Sequence, residues 1–210
     1  LVVLFSCTKA LAALACLQAH DRGELDYDTP VAHYWPGFGQ AGKEDITVRT
    51  LMNHRAGLCA LDMPVGLDDF ESPERLLPAL ESQVPLWEPG KGQGYHGVTY
   101  GPYVSELYRR ISGSTLSADV AANIAAPLGA DVHLGLAAEH DERVATLYPV
   151  TPAGRLFKAL PYILFNDVPE RKLIRAITDK SSDTARAFGN PADLGAKGLQ
   201  NFNTPRVRRM

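Results

Sequence analysis

A serine and a lysine with a spacing suited to nucleophilic catalysis stand near the start of the chain, as Ser6 and Lys9 in Ser-Cys-Thr-Lys. Residues three apart share a face of a helix, so the Lys9 amine can approach the Ser6 hydroxyl and take its proton. At the first turn of a helix, the Ser6 backbone N–H can also help to stabilise an oxyanion. The alternative interpretation is an N-cap serine followed by a surface lysine, because both residue types are common.

The elements that must position these residues are predicted to be mainly helical. Ser6 opens a helix that continues through the Ala/Leu-rich run 10–17, which is apolar nearly all round and is therefore predicted to lie inside its domain. Gly23 ends this helix. Further helices are predicted over 46–54, 72–80, 100–111 and 117–124, and a loop rich in proline and glycine, 85–94, leads to Tyr95.

The C-terminal part of the chain has a weaker pattern. Segment 156–165 is apolar, 169–178 is compatible with a helix, and 181–198 is rich in polar and small residues. We interpret residues 1–150 as the catalytic region. Residues 151–210 are interpreted as a peripheral or lid-like segment of the same domain.

The composition predicts a soluble globular protein that acts on a small molecule. The chain has 210 residues, of which 45% are hydrophobic and 21% charged, and its formal net charge is -3. Acidic and basic residues are mixed along it, which gives no electrostatic reason to expect a nucleic-acid or membrane partner. The apolar start, 1–5, is much too short to span a membrane, and an opening without Met is compatible with trimming of a longer protein.

The cysteines and histidines predict neither a disulfide framework nor a metal site. Cys7, Cys16 and Cys59 are odd in number and include no Cys-x-x-Cys pair, which favours a reducing, cytoplasmic location. The histidines stand far apart and form no His-x-x-x-His pair. We therefore expect no metal and no cofactor.

Four segments, the first of which contains Ser6 and Lys9, carry a resemblance to a known family. They are 5–9, 51–58, 87–90 and 94–101. Their order and approximate spacing resemble those of the β-lactamase-related serine hydrolases, the superfamily of penicillin-binding proteins and class C β-lactamases. The form Tyr-His-Gly at 95–97 is most similar to the family VIII carboxylesterases. The resemblance covers residues 1–150 well and the rest loosely.

The resemblance implies an acyl-enzyme mechanism. In such a mechanism Ser6 attacks the carbonyl carbon of an ester and Lys9 accepts or relays the serine proton. Tyr95 then passes a proton to the leaving group, a role that a neighbouring lysine ammonium supports by favouring the phenolate. The alternative for Tyr95 is a buried tyrosine with one hydrogen bond.

The resemblance also places His96 and Gly97 at the substrate. Gly97 stands where the lactamases usually have an asparagine that contacts the substrate amide, and this departure favours an ester over a β-lactam. His54, within 51–58, is expected to bond its own loop, with a general base as the alternative.

The implied fold is α/β, the β-lactamase/transpeptidase-like fold, in which an all-helical subdomain packs against an antiparallel sheet. We expect this chain to contain mainly the helical subdomain, to lack much of the sheet, and to expose an apolar face where the sheet would pack. The family's third motif is a Lys-Thr-Gly or His-x-Gly strand far downstream. It has no candidate here, because His133–Gly135 matches the letters but comes too early.

The sequence therefore predicts a serine carboxylesterase that cleaves small acyl esters. One alternative is a truncated or non-catalytic module of the same fold, since the missing strand would supply a second oxyanion donor. Another is a β-lactamase or D-alanyl-D-alanine peptidase. The acyl length and the oligomeric state are left open.

Overall fold

The computed structural model describes residues 1–148, 154, 160, 169–179, 181–192 and 198–210, and these residues are mainly helical. The α-helices are α1 Thr8–Asp21, α2 Val31–Tyr34, α3 Val48–Met52, α4 Leu67–Phe70, α5 Pro73–Ser82, α6 Tyr100–Ser112, α7 Leu116–Asp119, α8 Ala126–Leu128, α9 Pro169–Thr178, α10 Asp183–Gly189 and α11 Pro205–Arg209. Single 3₁₀ segments cover Phe5–Cys7, Pro36–Phe38, Ala138–Arg143 and Gly198–Asn203. Across this described part of the chain, the β structure consists of an isolated antiparallel bridge between Pro30 and Thr47.

The helix that follows Ser6 is buried on one face rather than on all sides. α1 begins at Thr8, directly after the 3₁₀ turn that contains Ser6. Its buried residues recur at spacings of one, three and four, and they are Ala12, Ala15, Cys16 and Ala19. Leu14 and Leu17 face outward and are 38% and 45% exposed. The prediction that this helix lies wholly inside its domain is therefore wrong, because Leu14 and Leu17 give it an apolar outer face.

The core forms where α1, α2, α5 and α6 pack together. The indole of Trp35 and the ring of Phe38 lie 5.5 Å apart between centroids, and Phe38 lies 5.9 Å from Tyr103 of α6. Trp35 Nε1 donates a hydrogen bond of 2.6 Å to Glu81 on α5. This packing fixes α1, which carries Lys9, relative to the chain that leaves α5 toward Tyr95.

Most of the predicted helices are confirmed. The region 46–54 contains α3, whose N-cap Thr47 accepts a hydrogen bond from the Thr50 backbone N–H at 3.1 Å. The regions 72–80 and 100–111 correspond to α5 and α6, and Gly113 ends α6 with a left-handed φ of 71°.

The region 117–124 is not one regular helix. α7 is followed by a π-helical segment, Val120–Ala125, and then by α8. Pro127 lacks the N–H that would bond the Asn123 carbonyl in a continuing α-helix, so the regular ladder is interrupted here. That carbonyl instead accepts a hydrogen bond from Gln18 Nε2 at 3.4 Å.

The C-terminal part of the chain contributes further helices. The predicted helix over 169–178 is confirmed as α9, and α10 lies within the polar segment 181–198. Nearly all of 156–165 lies outside the described residues. Ala187 of α10 packs with Cys59 and Ala60, so this part of the chain is joined to the segment that follows α3.

The described helices include none that is long and apolar enough to cross a membrane. All three cysteines carry free thiols, with Cys7 exposed and Cys16 and Cys59 buried. Burial raises the pKa of the Cys16 thiol to about 12. Cys16 is therefore a neutral core residue at physiological pH.

Candidate active site

Ser6 lies on an exposed turn at the N-terminal end of α1. The turn is closed by a hydrogen bond of 3.1 Å from the Cys7 N–H to the Leu4 carbonyl. Phe5 adopts a left-handed φ of 48°, which is uncommon for a residue with a Cβ. Its ring packs edge-on against Phe202 with centroids 5.0 Å apart, and this contact supports the turn from the C-terminal part of the chain.

The structure brings together the three residues that the sequence identifies as catalytic. The Tyr95 hydroxyl donates a hydrogen bond of 2.6 Å to Ser6 Oγ. Lys9 Nζ lies 5.0 Å from the centroid of the Tyr95 ring, within the range of a cation–π contact. A hydroxyl, a phenol and an amine therefore adjoin one another, and this arrangement can move a proton on and off Ser6.

Lys9 is anchored by the chain just beyond Tyr95. Lys9 Nζ donates a hydrogen bond of 3.0 Å to the Gly97 carbonyl, and it lies 5.6 Å from the centroid of the Tyr100 ring. Among the described residues, the Ser6 hydroxyl has its hydrogen bond with Tyr95. The direct approach of Lys9 to Ser6 that their spacing predicts is therefore not found as a hydrogen bond, and Lys9 Nζ lies over the Tyr95 ring instead.

His54 holds the backbone on both sides of Tyr95. Its carbonyl accepts a hydrogen bond from the Gly94 N–H at 3.1 Å, and its Nδ1 accepts one from the His96 N–H at 3.2 Å. The imidazole centroid lies 4.9 Å from the centroid of Tyr95. Burial, and then the charge of Lys9, lower the pKa of His54, which favours the neutral ring that accepts this bond. His54 thus has a structural role, as expected, but its side chain bonds the Tyr95 loop and not its own loop.

Trp87 packs beneath the loop that carries Tyr95. A Cβ at Gly92 would lie 2.9 Å from the indole, and one at Gly94 would lie 2.3 Å from it. Both positions therefore require glycine, since any side chain there would overlap the indole. The prolines and glycines of 85–94 make a loop that is tightly packed on this ring.

His96 is fully buried, with its ring turned away from solvent. The Leu58 N–H donates a hydrogen bond of 3.1 Å to His96 Nε2, so the neutral ring carries its proton on Nδ1. Burial lowers the pKa of His96 to about 4. The expectation that His96 contacts the substrate does not fit this placement, because the side chain ties the Tyr95 loop to the segment after α3.

Gly97 adjoins a residue that the sequence analysis did not identify. An ideal Cβ at Gly97 would lie 2.7 Å from Cε1 and 3.0 Å from Cζ of Phe188 on α10. Phe188 belongs to a segment whose composition is polar and small, and no local pattern connects it to Tyr95. Its position beside the site follows only from how α10 packs.

The remaining candidates lie outside this cluster. His133, of the early His-x-Gly match, bonds Asp131 at 3.0 Å and contacts the tilted ring of His140, with centroids 4.6 Å apart. A search of the described residues finds no group of three or more His, Cys, Asp or Glu side chains that could hold a metal ion.

Comparisons of the chain with known proteins agree on one family. A protein-family model described as Beta-lactamase matches residues 1–201. The chain is 38% identical over 140 residues to the Esterase/beta-lactamase LipL of Mycobacterium tuberculosis, an alignment that covers 63% of this chain and 31% of LipL.

Two solved structures share the fold. A family VIII carboxylesterase is 38% identical, with a TM-score of 0.67 over 75% of this chain and 44% of its own. EstA of Arthrobacter nitroguajacolicus Rue61a is 31% identical, with a TM-score of 0.72 over 98% of this chain and 50% of its own. The chain thus spans half or less of the length of these relatives.

Proposed function

The chain belongs to the beta-lactamase family, and we propose that it acts as a carboxylesterase-type serine hydrolase that cleaves small acyl esters through an acyl-enzyme on Ser6. The observation that carries the proposal is the 2.6 Å hydrogen bond between Tyr95 and Ser6, with the Lys9 amine 5.0 Å from the Tyr95 ring. The relatives named as esterases support an ester as the substrate.

The first half-reaction acylates Ser6. Ser6 Oγ attacks the carbonyl carbon of the ester, and its proton moves through Tyr95 and Lys9. The Ser6 backbone N–H, at the positive end of α1, stabilises the negative charge on the carbonyl oxygen. Tyr95 returns the proton to the alcohol oxygen as the C–O bond breaks, so the alcohol leaves neutral.

The second half-reaction releases the acid. Water attacks the acyl-enzyme carbon and gives its proton to the Tyr95–Lys9 pair, and Ser6 Oγ recovers a proton as it leaves. Residues 1–150 provide the three groups of this mechanism. We assign the described part of 151–210 to the same domain, which the hydrogen bonds of Asn190 to Leu61 and Met63 support.

Hydrolysis of p-nitrophenyl butyrate by the purified chain tests this proposal. We expect Ser6→Ala to fall to the uncatalysed background, because the nucleophile is lost. Tyr95→Phe should lower kcat/KM by about 10²–10⁴-fold, because the phenolic proton transfer is lost. Tyr148→Phe is the matched control, since Tyr148 is 85% exposed and should leave the rate unchanged.

Labelling with a fluorophosphonate gives the complementary readout. Labelling of the native chain that is lost in Ser6→Ala is expected from the proposal. If the native chain and Ser6→Ala show the same background hydrolysis and the same background labelling, the proposal that the chain is an enzyme is contradicted. This result would favour a non-catalytic module of the same fold.

A second candidate function is β-lactam hydrolysis, because the name of LipL combines esterase with beta-lactamase. Nitrocefin hydrolysis that depends on Ser6 would support it. We expect the ester to be the better substrate, since Gly97 has no side chain that could bind the amide of a β-lactam and Phe188 crowds this position.

A further inference from the structure

Phe188 adjoins the catalytic cluster from the side of Gly97. The three atoms nearest to an ideal Cβ at Gly97 all belong to the Phe188 ring, at 2.7, 3.0 and 3.6 Å. The carbonyl of the same glycine accepts the hydrogen bond from Lys9 Nζ. The aromatic ring therefore borders the residue that anchors the proposed base.

The position of Phe188 is fixed by the residues on either side of it. Ala187 is buried against Cys59 and Ala60, and Trp87 packs on the same small cluster. Two residues after Phe188, the Asn190 side chain accepts a hydrogen bond from the Val65 N–H at 3.0 Å and donates two to backbone carbonyls. Phe188 itself is 46% exposed, so part of its ring is open to a bound molecule.

From this geometry we propose that Phe188 determines specificity by forming an apolar wall that contacts the acyl group of the ester and limits its length. The inference rests on the function proposed above. Gly97 stands where the resemblance places a contact with the substrate, and in this chain the ring of Phe188 occupies the space that a side chain there would use. An aromatic ring makes favourable contacts with an apolar acyl chain and sterically excludes an acyl chain that is too long.

The test compares p-nitrophenyl butyrate with p-nitrophenyl octanoate. Release of nitrophenol in the first turnover is followed, so that acylation of Ser6 is sufficient for a signal. In Phe188→Ala we expect the ratio of kcat/KM for octanoate to that for butyrate to rise by about tenfold, because removal of the ring lengthens the acyl pocket. Ile177→Ala on α9 is the matched control, since Ile177 is similarly exposed at 49% and its loss should leave the ratio unchanged.

A second variant pair tests the contact itself. Gly97→Ala pushes a methyl group into the Phe188 ring, and we expect it to lower kcat/KM for butyrate by about tenfold through misplacement of the site. The double variant Gly97→Ala/Phe188→Ala should recover most of this loss, because the ring that causes the overlap is gone.

The outcomes separate this inference from the function on which it rests. Labelling of Ser6 by a fluorophosphonate together with an unchanged octanoate-to-butyrate ratio in Phe188→Ala overturns the role of Phe188 alone. Absence of labelling and of turnover in the native chain overturns the proposed function and this inference with it.

Discussion

His96 lies next to the proposed proton shuttle, Tyr95, and its role is to hold the Tyr95 loop in place. Its buried Nε2 accepts a hydrogen bond from the Leu58 N–H, and its backbone N–H donates one to His54 Nδ1. The Tyr95 loop is therefore held at two points. Such a ring serves only in its neutral form, since a protonated Nε2 cannot accept a hydrogen bond. The loop therefore depends on the protonation state of a side chain that does not face solvent.

This dependence predicts loss of stability in mild acid. The folded chain holds the pKa of His96 at about 4, below its ordinary value of 6.5, so the unfolded chain binds more protons between these values. The stabilisation is complete above pH 6.5 and is lost as the pH falls toward 4, by ~3 kcal/mol in total. Urea unfolding at several pH values measures it.

The control for His96 is a variant that keeps the acceptor but does not titrate. His96→Gln should show a shallower fall in unfolding free energy over this pH range, whereas His33→Gln, at an exposed histidine, should match the native chain. Identical pH dependence in the native chain and in His96→Gln would show that His96 is not the group that titrates.

At the scale of elements, α5 is secured at its C-terminal end by a buried lysine. Lys43 is fully buried, and its Nζ donates hydrogen bonds of 2.6 and 2.7 Å to the carbonyls of Glu81 and Gln83. A cation is favourable at the C-terminal end of a helix, where the last carbonyls lack partners. Since the chain runs from this point into the Tyr95 loop, Lys43 also stabilises the start of that loop.

Lys43→Met should destabilise the fold by ~2–4 kcal/mol, because it leaves two buried carbonyls without donors. Urea unfolding at pH 7 gives the value, and this pH lies below the pKa of about 8 to which burial lowers Lys43. Lys91→Met, at an exposed lysine, should change stability by no more than about 0.5 kcal/mol. A Lys43→Met variant as stable as the native chain would rule out this role for the lysine.

At the scale of the whole molecule, α1 exposes apolar residues that a soluble helix usually buries. Leu14 and Leu17 lie on the outer face of α1, and Val2, Leu4 and Phe5 are exposed just before it. LipL and EstA are each at least twice as long as the part that this chain matches. An exposed face of this kind favours association with other apolar surfaces.

The double variant Leu14→Gln/Leu17→Gln should reduce binding of the dye ANS by roughly half and should reduce self-association. Its stability should stay within about 0.5 kcal/mol of the native chain, since the buried face of α1 is unchanged. Dye fluorescence and sedimentation measure the two effects. Leu128→Gln is the control, because Leu128 is 74% exposed but lies on α8, away from α1 in the sequence. Equal dye binding by the double variant and the native chain would contradict the prediction.

Local features of the sequence were sufficient to predict most helices, whereas the choice of Ser6 as nucleophile depended on the order of several segments that resemble the family. Helix caps act on backbone groups a few residues away, as Thr47 does at the start of α3 and Gly113 at the end of α6. Their effect therefore does not depend on the rest of the chain. Burial of α1 was predicted wrongly, because its composition is apolar on both faces while only one face has a neighbour among the described residues.

Tertiary structure decided the assembly of the site. Ser6 and Tyr95 are 89 residues apart and meet only because α1 and the loop after α5 pack around one core. The burial of His96 and the approach of Phe188 to Gly97 have the same origin, since each depends on contacts between segments that are distant in sequence. A sequence pattern reports the preference of a residue for a local conformation, whereas the identity of its neighbours is set by the packing of the whole chain.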